Sequence, residues 1–192
     1  LSISDLRFAL DGPRQHDIGL YARAYALTTV VQRAAKLKTE NRKSEILIIG
    51  LGNEYRGDDA VGLLVARRVR ELGLENVKAI EESGEGAHLI EAWKGAETVI
   101  IVDAVSSGSN PGSVHRFDAI AKKVPSKFFH HSSHAFSVVE AIELARAMSQ
   151  LPSRLIVIGV EGHSFEAGVE LSSEVKQAVE EVVDWIKQGA FR

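Results

Sequence analysis

From Glu45 onward, short apolar runs alternate with longer stretches in which apolar residues recur every three or four positions. ILIIG (46–50), NVKAIEE (76–82), ETVIIVDAV (97–105), GSVHRFD (112–118) and RLIVIGV (154–160) are short and rich in β-branched residues, which predicts five strands. Between them DDAVGLLVARRVREL, AHLIEAW, AFSVVEAIELARAM and SSEVKQAVEEVVDWI predict helices, the first with an apolar stripe of Val61, Leu64, Val65 and Val69. Alternating strands and helices imply an α/β domain on a largely parallel sheet. ILIIG and TVIIV are almost unbroken apolar runs, as expected of central strands covered on both faces. Only AVSSGSNPG separates the third and fourth strands, too little for a parallel crossover, so the fourth strand is expected to run antiparallel.

Residues 1–43 fall outside this alternation. Ile18, Tyr21, Tyr25, Val30, Val31, Ala34 and Leu37 have helix-like spacing and are followed by the polar run KTENRKSE, so an N-terminal helical extension and a flexible linker are expected before a domain over 44–192. A chain of 192 residues suits one such domain with an appendage.

Composition narrows the chemistry. A net charge of -3 gives no electrostatic footprint for nucleic acid, and no apolar run approaches the ~20 residues needed to span a bilayer. A cytoplasmic protein that neither binds nucleic acid nor enters a membrane is the expectation, and a monomer is the expected state. Cysteine is absent, which leaves oxygen and imidazole for any catalysis or metal binding.

The stretch ILIIGLGNEYRGDDAVG (46–62) frames the question of site. Gly50 and Gly52 give G-x-G between a strand and a helix, and Glu82 stands where a ribose-binding acid belongs, yet Tyr55 replaces the third glycine of a dinucleotide fingerprint. Asp58 and Asp59 then bring two negative charges to the helix start, where a pyrophosphate needs free N–H groups. Asp58 is expected to cap the helix, leaving Asp59 either as a dipole partner or free to point into the crevice beyond the strand ends. Asp103 ends the buried run Val99–Val102, where a carboxylate has to be paired, hydrogen-bonded or metal-bound. His130, His131 and His134 cluster before a helix that Ser132 or Ser133 could cap, in which case the histidines are plain loop residues. If the first and third strands are neighbours, their loops flank a topological switch point, and an Asp, Asp, His set there suits nickel, zinc or manganese.

Four blocks, GLGNEYRGDDAVG, VDAVSSGSNPG, SHAFSVVEAIELA and GVEGHSFEAGVELSSEV, resemble the hydrogenase maturation endopeptidases in order and spacing, over residues 45–188. The resemblance implies a metal-dependent endopeptidase that removes the C-terminal extension of a nickel-iron hydrogenase large-subunit precursor after nickel loading. It implies a three-layer α/β/α sandwich on a five-stranded mixed sheet with the fourth strand antiparallel. Carried over by position, the residues that recognise nickel fall on Asp59, Asp103 and His134, with the nickel supplied by the substrate and other divalent ions able to substitute. Ser83, Gly84 and Glu85 depart from the glycine pair and hydroxyl residue common in relatives, which bears on substrate choice. EGHSFE also departs, suggesting a rim remodelled around Glu161 and His163.

No H-E-x-x-H or G-x-S-x-G is present, so neither an ordinary zinc protease nor a serine hydrolase is expected by motif. His16, His88 and His115 are expected to be structural or solvent-facing, while His130 or His131 could orient His134. Competing readings are a non-catalytic nickel-recognition or chaperone module and a nucleotide-binding domain.

Overall fold

The computed structural model describes residues 46–82, 86–128 and 137–191, within the unit Ser44–Arg192. The expected N-terminal helix, the loop at 83–85 and His130, His131 and His134 lie outside these residues.

The strands are β1 (Ile46–Leu51), β2 (Val77–Glu82), β3 (Thr98–Val105), β4 (Val114–Asp118) and β5 (Arg154–Glu161). The helices are α1 (Val61–Leu72), α2 (Gly86–Ala92), α3 (Val138–Ala147) and α4 (Ser173–Lys187), with 3-10 turns at Gly57–Ala60 and Ser126–Phe128. The sheet order is β2-β1-β3-β5-β4. All pairings are parallel except β4 with β5, as the short β3–β4 connection requires. β1 and β3 are neighbours, so the loops leaving their carboxyl ends open onto the switch point of the sheet.

The period-two alternation of the central strands sends side chains into two cores. Ile48, Ile100 and Ile158 meet Val61, Val65, Val69, Val175 and Val182 of α1 and α4 on one face. Ile49, Ile101 and Val157 meet Leu89 of α2, Trp93 just after it, and Val138 and Ile142 of α3 on the other. Each such aliphatic side chain contributes roughly 1.5–3 kcal/mol through burial, so the sandwich fixes the ends of β1 and β3 relative to each other.

Two helix starts differ from expectation. The first expected helix, from Asp58, opens as a 3-10 turn and becomes α-helical only at Val61. α3 starts at Val138, not Ala135, and its cap is Ser137 rather than Ser132 or Ser133. Ser137 and Glu140 form a reciprocal capping box: Glu140 N–H donates to Ser137 Oγ (3.3 Å) and Ser137 N–H to the Glu140 carboxylate (2.7 Å). The S-x-x-E signal satisfies two otherwise unpaired donors at once, which an isolated serine cannot.

Candidate active site

Close approach of α1 to the sheet builds the site. Gly62 sits against backbone: a Cβ there would lie 2.3 Å from the carbonyl oxygens of both Leu51 and Val102. Gly52, at φ +142°, would put a Cβ 1.8 Å from the Asp59 carbonyl. Glycine at these two points lets the first turn of the helix press onto the carboxyl ends of β1 and β3. Asp59 is thereby carried to the crevice.

β3 outruns β1. Their register stops at Gly50 opposite Val102, while β3 continues beside β5 with Asp103 opposite Gly159. Asp103 therefore emerges beyond β1, and it is buried, with 6% of its surface exposed. Its Oδ1 accepts the Ala104 N–H at 2.9 Å. Burial, with the Asp59 carboxylate adding to it, pushes the Asp103 carboxyl up from 3.8 to about 7, while the Ala104 N–H pulls weakly the other way. The two aspartates are thus close enough to repel, in a place where water does little to separate their charges. Asp59 also faces Arg56, whose Nη1 lies 3.7 Å from Asp59 Oδ2.

His134 lies outside the described residues, and among those residues no group of three histidine, aspartate or glutamate side chains is placed to hold a metal. The described flanks of the histidine segment both pack on the sheet face to which Ile101 and Val105 belong. Phe128 sets its ring 4.8 Å from His115 and 5.1 Å from Phe117 on β4, and Val138 enters the core beneath α3. By strand alternation Asp103 belongs to that face.

Asp58 corrects the sequence reading. It does not cap its own helix, which has no side-chain cap bond. Buried at 1% exposure, it reaches across to the loop between β5 and α4. Its Oδ2 accepts the N–H groups of His163 (2.7 Å) and Ser164 (3.1 Å) and the Ser172 hydroxyl (3.0 Å), and its Oδ1 accepts the Ser172 N–H (2.7 Å). Ser172 precedes α4, so Asp58 serves the start of a different helix. One carboxylate locks the loop that carries Asp59 to the loop that joins β5 to α4.

Glu161 is likewise no rim residue. It is buried, and it accepts the N–H groups of Ser107 and Gly108 at 2.8 Å each and the Ser107 hydroxyl at 2.7 Å, clamping the loop that follows Asp103. His163 is exposed. His115 packs on the aromatic rings, with Nε2 buried 3.8 Å from Glu161 Oε2 and without a hydrogen-bond partner among the described residues. His88 is exposed on α2. Both clamps are long-range contacts between carboxylates and backbone, so no spacing in the chain announces them.

Among the described residues no helix is long and apolar enough to cross a membrane. The family model for hydrogenase maturation proteases matches residues 63–188. Protein FrxA of Pyrococcus furiosus is 33% identical over 135 residues, covering 68% of this chain and 93% of its own. The nickel-iron hydrogenase maturation protease HybD of Thermococcus kodakarensis is 28% identical with a TM-score of 0.61, over 77% of this chain and 99% of its own. The HycI protease of the same organism is 27% identical with a TM-score of 0.59, over 77% and 93%. With that match spanning most of the chain and the same five-stranded sheet in its structural neighbours, the protein belongs to the hydrogenase maturation protease family and is a peptidase.

Proposed function

We propose that this peptidase removes the C-terminal extension of a nickel-loaded nickel-iron hydrogenase large-subunit precursor, and that Asp59, Asp103 and His134 meet the nickel the precursor carries. The observation that carries the reading is the buried Asp103, pushed to about 7 by burial and by Asp59 beside it. Two carboxylates held together in a poorly solvated crevice form a pocket of negative potential that a divalent cation relieves. Carboxylate and imidazole suit nickel, and a chain without cysteine has no thiolate to offer a softer ion.

Nickel enters here as part of the substrate. A divalent ion polarises a carbonyl or lowers the pKa of water. The chain's part is to hold that ion against the scissile segment, with Asp58 and Glu161 fixing the loops on either side. A precursor without nickel leaves the Asp59–Asp103 repulsion in place and binds poorly, which couples trimming to metal loading.

Mass spectrometry of a large-subunit precursor incubated with the protein tests this. Wild type is expected to shorten the nickel-loaded precursor and leave the nickel-free one intact, and Asp103→Asn and His134→Ala to shorten neither while keeping a native fold by circular dichroism. Trimming by either variant at the wild-type rate, or equal trimming of both precursor forms, defeats the proposal. A precursor retained by the protein but never shortened would instead identify a nickel-recognition module.

A further inference from the structure

Arg56 brings a positive charge to a crevice walled by two aspartates. It immediately precedes the 3-10 turn that carries Asp59, and its main chain is pinned on both sides: its N–H donates to the Asn53 carbonyl (3.2 Å) and its carbonyl accepts the Asp59 N–H (3.1 Å). The side chain is not pinned. Among the described arginines, Arg67, Arg68, Arg70, Arg116, Arg146 and Arg154 each donate at least one side-chain hydrogen bond, whereas Arg56 donates none. Its ion pair with Asp59 Oδ2 stands at 3.7 Å, beyond hydrogen-bond length, on a side chain that is 31% exposed.

This is not the geometry of a residue kept only to balance Asp59. Such a residue would close the gap, as Arg67 does on Glu81 at 2.8 Å. The charge of Arg56 also leaves Asp103 unrelieved: that carboxyl is raised by burial and by Asp59, opposed only by the Ala104 N–H. A guanidinium with its donors unspent, on a fixed stretch of main chain, is placed to receive an acceptor that arrives with the substrate.

Hydrolysis of a peptide bond supplies one. The oxygen of water adds to the scissile carbonyl carbon, and the π pair of the C=O bond moves onto the carbonyl oxygen. The C–N bond then breaks, its electron pair leaves with the nitrogen, and both protons of the water end there, giving an ammonium and a carboxylate. The former carbonyl oxygen thus carries negative charge from the addition through to the product. Asp59 and Asp103 repel that charge, while a guanidinium fork beside them stabilises it.

We propose that Arg56 is a further catalytic residue, its guanidinium donating to the scissile carbonyl oxygen and holding the charge that oxygen gains in the transition state. The inference rests on the trimming reaction proposed above and adds an anion-stabilising donor to Asp59, Asp103 and His134.

The test follows trimming of a nickel-loaded precursor by mass spectrometry over a range of precursor concentrations, so that kcat and KM are obtained separately. Arg56→Ala is expected to lower kcat about a hundredfold with KM changed by less than about threefold, the pattern of a contact made in the transition state. Arg56→Met, which keeps the aliphatic stem and no donor, is expected to show the same loss and carries the test if the alanine variant does not fold. Losing an ion pair this exposed costs the fold little, which urea midpoints check. Guanidinium ion at a non-denaturing concentration is expected to restore Arg56→Ala activity about tenfold, and sodium at equal ionic strength to restore none. A variant kcat within about threefold of wild type overturns the proposal, as does a loss confined to KM or equal rescue by sodium. An Arg56 that merely balanced Asp59 would compete with the precursor's nickel, so its removal would lower KM and leave kcat intact; that result also overturns the proposal and leaves the trimming reaction standing. If wild type trims no precursor, both fall together.

Discussion

Replacing Asp103 by Asn should make the protein more stable at alkaline pH and leave it nearly unchanged in acid. The carboxyl is raised from 3.8 to about 7 by burial and by Asp59, which corresponds to a penalty of about 4 kcal/mol on the ionised form. The sign follows from linkage. Between those two values the folded state holds a proton that the unfolded state has released, so stability from this group is complete below 3.8 and is lost as pH rises through about 7. Asparagine keeps the shape and the amide contact to Ala104 N–H but cannot ionise. The stability gain of Asp103→Asn over wild type should therefore be larger at about pH 8.5 than at about pH 5, by roughly 2.5 kcal/mol. Urea unfolding in the presence of a chelator, read as midpoints at equal m-values, measures it. Comparing variant with wild type at each pH cancels the carboxylates remote from the Asp59–Asp103 pair, which titrate alike in both proteins. A gain that is the same at both pH values to within about 0.5 kcal/mol refutes the picture of a carboxylate strained by burial and by its neighbour. Loss of trimming together with a gain of stability is the signature of a group placed for function at the expense of the fold.

Three further outcomes probe the scaffold around that group. Asp58→Asn must turn an amide N–H toward a donor in either orientation, so at least one of the bonds to His163, Ser164 or Ser172 is lost with its N–H left buried. A cost of roughly 2–4 kcal/mol is expected by urea unfolding, and a change below about 0.5 kcal/mol would show that Asp58 is no clamp. Gly62→Ala drives a methyl into the Leu51 and Val102 carbonyls. It should destabilise by about 1–3 kcal/mol and, by pushing α1 off the sheet, reduce trimming more than a stability loss of that size explains; a variant that melts and trims like wild type contradicts the close-approach argument. Ser137→Ala removes one half of the capping box at the start of α3. It should cost about 1 kcal/mol in a thermal melt, and an unchanged melt would assign the helix start to packing alone.

How much of this was legible in the chain depends on the range of the interaction. The five strands follow from local β-branched runs, and the antiparallel β4 from a connection too short to cross the sheet, because chain geometry forbids the alternative. Asp103 stood out because a carboxylate ending a buried strand has no cheap resting state. Asp59 stood out because two adjacent acids exceed what one helix start needs. The partners of Asp58 and Glu161 were not legible: they are backbone N–H groups 105 to 114 and 53 to 54 residues away, which carry no sequence signature. That Arg67 and Arg70 both reach Glu81 was equally hidden, since it depends on how closely α1 packs beside β2. Sequence alone determined the order and direction of the elements and the residue types able to do chemistry, since these rest on contacts between near neighbours. Only the tertiary structure decided which charges are balanced and which are left in want of a partner, because electrostatic energy depends on distance and solvent in three dimensions and not on separation along the chain.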